Sequence, residues 1–334
     1  MTQDLKEAMY WKTGADGRAH CYLCPQHCHI SEGAVGACRV RKNIQGKLYS
    51  LNYGRVSSVN LDPIEKKPLF HFYPGSVILS LGTVGCNLSC KFCQNWQISQ
   101  EEVPTRLLQP REAVRLAQQD ADNLGIAYTY NEPFIWYEYL LETAPLARAA
   151  GLKNVLVTNG YVEEEPLKQI LPFIDAMNVD VKSMRDEFYR KLCRGRADPA
   201  RRTVEIAHES CLVEVTNLVI PGWNDSDEDF RELVDWLSGL DRNIPLHFSR
   251  YHPAYQMTAP PTPAETLHRA REIAREKLPH VYLGNIMEEG VEDTVCPSCG
   301  KRVVERRGFG VLSVRVKDGK CDFCGAPVPI VGTA

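Results

Sequence analysis

Apolar and polar positions follow two rhythms along this chain. From about residue 76 to residue 286, short runs rich in Val, Ile, Leu and Tyr predict strands at 77–81, 126–130, 154–158, 177–181, 213–220 and 246–251, with 281–283 as a further candidate. The stretches between them space apolar residues three and four apart, as amphipathic helices do. In 110–124, Val114, Leu116, Ala117, Ala121 and Leu124 make one such face. A second helix opens at Asp225 or Ser226, either of which can cap it, and turns Phe230, Leu233, Val234 and Leu237 inward. Residues 195–202 read as a loop. Repeated strand–helix units predict a parallel sheet, and six or seven strands fit a partial barrel better than a complete one of eight. The expected fold is therefore α/β, a partial (β/α)6 TIM-like barrel.

In such folds the ligand lies beyond the carboxyl ends of the strands. The first predicted strand runs into a cysteine-bearing loop, and the later ones are followed by Asn131-Glu132-Pro133, Asn159-Gly160, Lys182, Pro221-Gly222 and His252-Pro253. Gly, Asn and Pro end strands in any protein. Such segments in order behind a cysteine loop favour a ligand site over that plainer account.

Two small segments flank the core and complete an expected division into 1–75, a cysteine-rich metal module, 76–288, the barrel, and 289–334, a zinc ribbon. A chain of 334 residues with 44% hydrophobic content can bury a sizeable core. Its net charge of −3 gives no general attraction to nucleic acid or anionic lipid, so neither is an expected partner. The opening residues hold no apolar stretch of signal-peptide length and no run approaches a membrane span, which makes a cytoplasmic location the expectation.

The 13 cysteines change this ordinary picture. Eleven fall into three groups: Cys21, Cys24, Cys28 and Cys38; Cys86, Cys90 and Cys93; and Cys296, Cys299, Cys321 and Cys324. Disulfide frameworks belong to short secreted domains, so these spacings point to metal. The central C-x3-C-x2-C loop offers three ligands, one too few for a closed site; a 4Fe–4S cluster on three thiolates leaves one iron open to a substrate. Gly85 and Asn87 suit the tight loop, and Phe92 adds a flat apolar face. The C-terminal group pairs two C-x2-C knuckles, each followed by glycine, as a tetrahedral zinc site does. The N-terminal C-x2-C-x3-C-x9-C group, with His20, His27 and His29 within reach, fits structural zinc or an auxiliary iron–sulfur cluster. Cys193 and Cys211 stand apart and read as small apolar residues.

Gly85-Cys86-Asn87-Leu88-Ser89-Cys90-Lys91-Phe92-Cys93 resembles the signature loop of the radical S-adenosylmethionine (SAM) superfamily. The chain looks most like the pyruvate formate-lyase activating enzyme-like members, in particular the radical SAM enzyme of the AmmeMemoRadiSam system. The likeness extends through 21–28, 128–133, 178–182, 219–225 and 249–253. It implies a 4Fe–4S cluster on Cys86, Cys90 and Cys93, SAM on the open iron, and reductive cleavage to a 5'-deoxyadenosyl radical that takes hydrogen from a protein or small molecule. A one-electron reductant of flavodoxin or ferredoxin type is implied as partner. By the same resemblance Glu132 meets the SAM ammonium, although Tyr130 and Asn131 replace the family's two glycines before it. Asn159 is an implied contact of ribose or methionyl groups, Asp180 of the SAM ammonium or a ribose hydroxyl, Lys182 of the SAM carboxylate, Phe92 of adenine, and His252 of SAM after the last strand. The plain alternatives are a loop acid at Glu132, an ion pair of Asp180 with Lys182, and a loop histidine at His252. For the whole chain the alternative is a non-catalytic iron–sulfur or zinc electron carrier or adaptor.

Overall fold

The apolar runs form strands, as a computed structural model describing residues 5–14 and 17–332 shows. The main sheet has eight: β1 Ser58–Pro63, β2 Val77–Gly82, β3 Asn123–Tyr128, β4 Lys153–Thr158, β5 Ala176–Asp180, β6 Leu212–Val219, β7 Leu246–Arg250 and β8 Val281–Gly284. Strands β2 to β8 are parallel and each pairs with its successor, whereas β1 runs antiparallel along β2. The order never doubles back, and the edge strands β1 and β8 each pair on one side only. The architecture is an α/β partial barrel.

Both faces of a parallel sheet are covered, which is why its strands read as nearly unbroken apolar runs. The crossover helices are α1 Pro110–Ala117, α2 Tyr137–Ala149, α3 Glu164–Ile170, α4 Asp198–His208, α5 Asp227–Asp241 and α6 Ala264–Arg275. Leu79, Leu81, Ile126, Leu156, Val179 and Val215 on the strands pack with Leu140, Val204, Phe230, Leu237 and Leu267 on the helices in the largest core cluster. Helix α5 starts as predicted, in a capping box where Ser226 Oγ accepts Asp229 N at 3.2 Å.

Two sequence readings are corrected. The helix expected over 110–124 stops at Ala117. Asn123 holds the break, its Nδ2 donating to Ala117 O at 2.7 Å while its Oδ1 accepts Leu79 N at 2.7 Å, so Leu124 lies in β3. Residues 195–202 are not all loop, because α4 begins at Asp198 with Pro199 in its first turn. A crossover between parallel β5 and β6 requires such an element, and Ala200, Thr203, Val204 and Ala207 are its buried face.

Flanking strands form small antiparallel sheets at 6–50 and 294–321. Strand β1, within the segment assigned to the N-terminal module, is an edge of the main sheet. The amino ends of the parallel strands are plugged by 64–73 and by the C-terminal segment. Glu214 on β6 accepts His71 N at 2.7 Å and pairs with His247 of β7 at 2.6 Å. His71 Nδ1 faces Pro329 O at 2.9 Å and must donate there, so its Nε2 accepts the Tyr282 hydroxyl at 2.6 Å. Burial, with His280 and Arg306 nearby, holds His71 well below the usual histidine pKa and thus neutral. Arg306 continues the chain of bonds, donating to Thr294 Oγ1 at 2.9 Å and to Phe70 O at 2.6 Å.

Candidate active site at the carboxyl ends of the strands

The loop after β2 is fixed from several directions. Gly85 has φ +89°, and a Cβ there would meet Cys38 O at 2.5 Å and Val40 at 2.8 Å, so no other residue fits. Asn131 Nδ2 donates to Gly85 O at 2.8 Å, and Asn87 Nδ2 to Tyr161 O at 2.6 Å. Ser89 N and Lys91 N donate to Cys193 O and Leu192 O, each at 2.9 Å. Those two carbonyls end a π-helical turn over Tyr189–Cys193, closed by Arg194 at φ 57°. Such turns occur often at functional sites. Cys193 is fully buried, and its thiol reaches Cys90.

Leu88 N donates to Cys86 Sγ at 3.4 Å and Asn159 Nδ2 at 3.6 Å. Hydrogen bonds of this kind favour a thiolate, the form that binds metal, against the burial that pushes the Cys86 thiol well up. Among the described residues, Cys296, Cys299, Cys321 and Cys324 are the one group of three or more His, Cys, Asp or Glu ligand atoms within 4.8 Å of one another. The Cys86, Cys90 and Cys93 thiols are therefore more widely spread than ligands closing on a single ion. They suit a multi-iron cluster.

Charged side chains from two other strand ends, and Asn159 from a third, face this loop. Glu132, after β3, is 1% exposed. Its Oε1 accepts Phe134 N at 3.0 Å and Thr158 Oγ1 at 2.8 Å, and its Oε2 accepts Asn159 N at 2.8 Å. Burial pushes its pKa up to about 7 against those bonds. Tyr130 stands where a glycine was expected and does adopt φ 71°. Its carbonyl accepts Asn95 Nδ2 at 2.7 Å, its hydroxyl accepts Asn60 Nδ2 at 3.0 Å, and its ring lies over Gly82, where a Cβ would come within 2.9 Å. Asn159, after β4, is engaged with the cysteine loop, donating to Asn87 Oδ1 at 3.0 Å. Lys182, just beyond β5, pairs with Asp180 at 2.9 Å and has its Nζ 5.9 Å from the Phe92 ring centroid. Burial alone would lower the Lys182 pKa; Asp180 and Cys90 reverse that and hold it well above the usual lysine value. Phe92 packs at 5.9 Å against Phe188. His252, after β7, is exposed and has no side-chain partner among the described residues.

The structure thus gathers Cys86, Cys90, Cys93, Phe92, Glu132, Asn159, Asp180 and Lys182, with His252 at the margin. Sequence reading missed Cys193 as a neighbour of Cys90 and missed the π turn; the unusual Leu192-Cys193-Arg194-Gly195 run was the available signal.

The C-terminal quartet is compact, with Cys296 Sγ 3.7 Å from Cys324 Sγ and Cys299 Sγ 3.8 Å from Cys321 Sγ. Four thiolates about 2.3 Å from one ion at tetrahedral angles lie about 3.8 Å apart, so the quartet has the spacing that one tetrahedral ion would require. Cys21, Cys24, Cys28 and Cys38 instead line a shared cavity with Arg41 and Ile135.

A parallel partial barrel whose first core strand leads into a three-cysteine loop, with charged side chains following its other strands, defines the radical SAM class of fold. The radical SAM superfamily profile matches residues 80–237. A protein of Methanocaldococcus jannaschii, named only as uncharacterized, is 45% identical over 336 aligned residues, spanning 98% of this chain and 100% of that one. Pyruvate formate-lyase 1-activating enzyme of Escherichia coli K12 is 24% identical over 178 residues, 50% of this chain and 71% of that enzyme. A solved radical SAM methyltransferase from Sphaerobacter thermophilus shares the fold, with TM-score 0.50 and 22% identity across 69% of this chain and 71% of that one. Residues 80–237 of this chain are thus a radical SAM domain.

Proposed function

We propose that the chain is a radical SAM enzyme of the activating-enzyme kind, acting on a protein or small-molecule hydrogen donor. The observation that carries this reading is convergence: three thiols after β2 and the charged groups of Glu132, Asp180 and Lys182 from two further strand ends meet at one loop. The 24% identical activating enzyme supports the subgroup.

Cys86, Cys90 and Cys93 would hold a 4Fe–4S cluster, which with SAM on its open iron supplies one electron to break the sulfonium carbon–sulfur bond and yield the 5'-deoxyadenosyl radical. The side chains bind and orient. The Lys182 ammonium has three protons and gives one to Asp180, leaving donors for the SAM carboxylate. Asp180, its side chain 40% exposed, can accept the SAM ammonium or a ribose hydroxyl. Glu132 Oε2 accepts one bond and retains room for a second, from the same ammonium. Phe92 offers adenine an apolar face, Asn159 steadies Cys86, and His252 is free to close over the nucleoside. Arg39, Lys91, Arg190, Lys191 and Arg194 line a groove beside the loop that suits an acidic segment of a protein acceptor.

The same reading keeps 76–288 as the catalytic barrel with β1 as its added edge, 1–75 as the N-terminal metal module, and 289–334 as a ribbon whose four cysteines hold structural zinc. The electron donor is of flavodoxin or ferredoxin type. Among the described residues no helix is long and apolar enough to cross a membrane.

The test is anaerobic reconstitution with iron and sulfide, dithionite reduction and addition of SAM, with 5'-deoxyadenosine quantified against Cys90→Ala. Formation by the native chain and background levels in the variant are expected. An intact cluster whose spectrum ignores SAM, with no 5'-deoxyadenosine formed, would leave an electron carrier as the better description.

A further inference from the structure

The N-terminal quartet differs from the C-terminal one in a way that identifies its cargo. Cys296, Cys299, Cys321 and Cys324 sit at the spacing set by one tetrahedral ion, whereas no three of Cys21, Cys24, Cys28 and Cys38 come within 4.8 Å of one another. They are nonetheless arranged about one void, since all four line the same cavity with Leu23, Ile30, Gly36 and Arg41. An iron–sulfur cube carries a thiolate beyond each of its irons and holds its ligands much further apart than a single ion does. These four thiols, like those of Cys86, Cys90 and Cys93, thus lack the tight spacing of the ribbon.

Two polar groups reach the sulfurs, against a burial that pushes the Cys24, Cys28 and Cys38 thiols up. Ala37 N donates to Cys28 Sγ at 3.4 Å, and Arg41 Nη1 lies 3.7 Å from Cys21 Sγ. Arg41 is 2% exposed and is fixed by Met9 O at 2.7 Å and by the Glu138 carboxylate, which balances its charge. Of the nearby histidines, His27 pairs with Glu163 at 2.7 Å, and His20 stacks on His29 with centroids 4.3 Å apart. None of the three lines the cavity.

We propose that Cys21, Cys24, Cys28 and Cys38 hold a second 4Fe–4S cluster, closed by four thiolates. Having no open iron, it exchanges electrons and binds no substrate. It stands against the cluster loop: Gln26 Nε2 donates to Asn87 O at 2.8 Å, next to Cys86, and the Cys38 carbonyl is the group that excludes a side chain from Gly85. The assignment of the quartet rests on its own residues; only the expected redox partner rests on the function proposed above.

The decisive experiment uses the full chain with Cys86→Ala, Cys90→Ala and Cys93→Ala together, so that failure of the first reading cannot imitate failure of this one. After anaerobic reconstitution the variant should retain about four irons and about four sulfides per chain, with about one zinc, and should give the electron paramagnetic resonance signal of a reduced cluster with dithionite. The zinc reports a folded ribbon. A variant that retains about two zincs and no iron overturns the proposal. Because the triple variant could fold poorly, the native chain is assayed in parallel: about eight irons support the second cluster, and about four irons with about two zincs refute it.

Discussion

At the amino ends of the strands a buried carboxylate, Glu214, is shut in by the His71 backbone and the His247 ring, and the bonds run on through Tyr282, Thr294 and Arg306 to the Phe70 carbonyl. At the carboxyl ends another buried carboxylate, Glu132, faces a rim that opens outward through Asp180 and the exposed His252. Both ends bury charge in a framework of hydrogen bonds, and burial alone does not tell a site from a scaffold. The difference lies in what remains available. Glu214, His247, His71, Tyr282 and Arg306 are at most 4% exposed and join distant segments to one another. Lys182 has protons left over beside a half-open Asp180, and His252 has no partner among the described residues.

The strongest way to break this contrast is Glu214→Ala. It leaves the His71 amide and the His247 ring without their acceptor in a closed interior, and loss of one member of such a network costs about 3–5 kcal/mol. A large fall in Tm is expected, with SAM affinity of the folded fraction unchanged. Selective loss of SAM binding at normal Tm would erase the distinction between the two ends.

Lys182→Met makes the reciprocal change. The aliphatic stem is retained and Asp180 keeps access to water, so stability should shift by less than about 1 kcal/mol. A charge-assisted bond to the SAM carboxylate is worth about 1.5–3 kcal/mol, so SAM should bind at least about tenfold more weakly by equilibrium dialysis. Unaltered affinity would reduce Lys182 and Asp180 to a structural ion pair.

The third test uses pH. With a pKa near 7, Glu132 keeps below that pH a proton that an ordinary carboxyl has released above about 4.5. The folded state then binds more protons than the unfolded one, so this group's contribution to stability falls as pH rises from 4.5 towards 7. SAM binding has the opposite slope, because its ammonium favours the ionised carboxylate. Affinity should weaken by up to about tenfold per pH unit below 7, level off above it, and lose this slope in Glu132→Gln. A flat profile in the native chain would separate Glu132 from the ammonium.

Which parts of this were legible in the chain follows from how local each one is. Strands β2 to β8 announce themselves because burial on both faces makes each an apolar run, and the cysteine loop because its three ligands lie within eight residues. Helix α1 is overextended in the reading because Ala121 and Leu124 keep helical spacing; the break is made by Asn123 bonding across to Leu79, which periodicity does not register. Strand β1 hides behind Asn60, Asp62 and Pro63, poor strand formers tolerated at an edge. The amino-end network joins residues 71, 214, 247, 282 and 306, and no single segment carries its signature. Cysteine spacing likewise named the two quartets as metal sites but left the N-terminal cargo open, because one ion and one cube differ in the distance between thiols, which only folding sets.

The smallest expected effect, at His252, tests the rim most finely. An exposed side chain with no partner contributes little to folding, and His252→Ala should change stability by no more than about 0.5 kcal/mol. If the ring closes over bound SAM, the variant should weaken binding by about one hydrogen bond, roughly 0.5–1.5 kcal/mol or a few-fold in Kd. Such a loss can be separated from lost packing by His252→Asn, which retains a donor on a shorter side chain and should recover part of the affinity. Equal affinity in all three proteins would set the boundary of the site at Lys182 and Glu132, leaving the loop after β7 to the acceptor rather than to SAM.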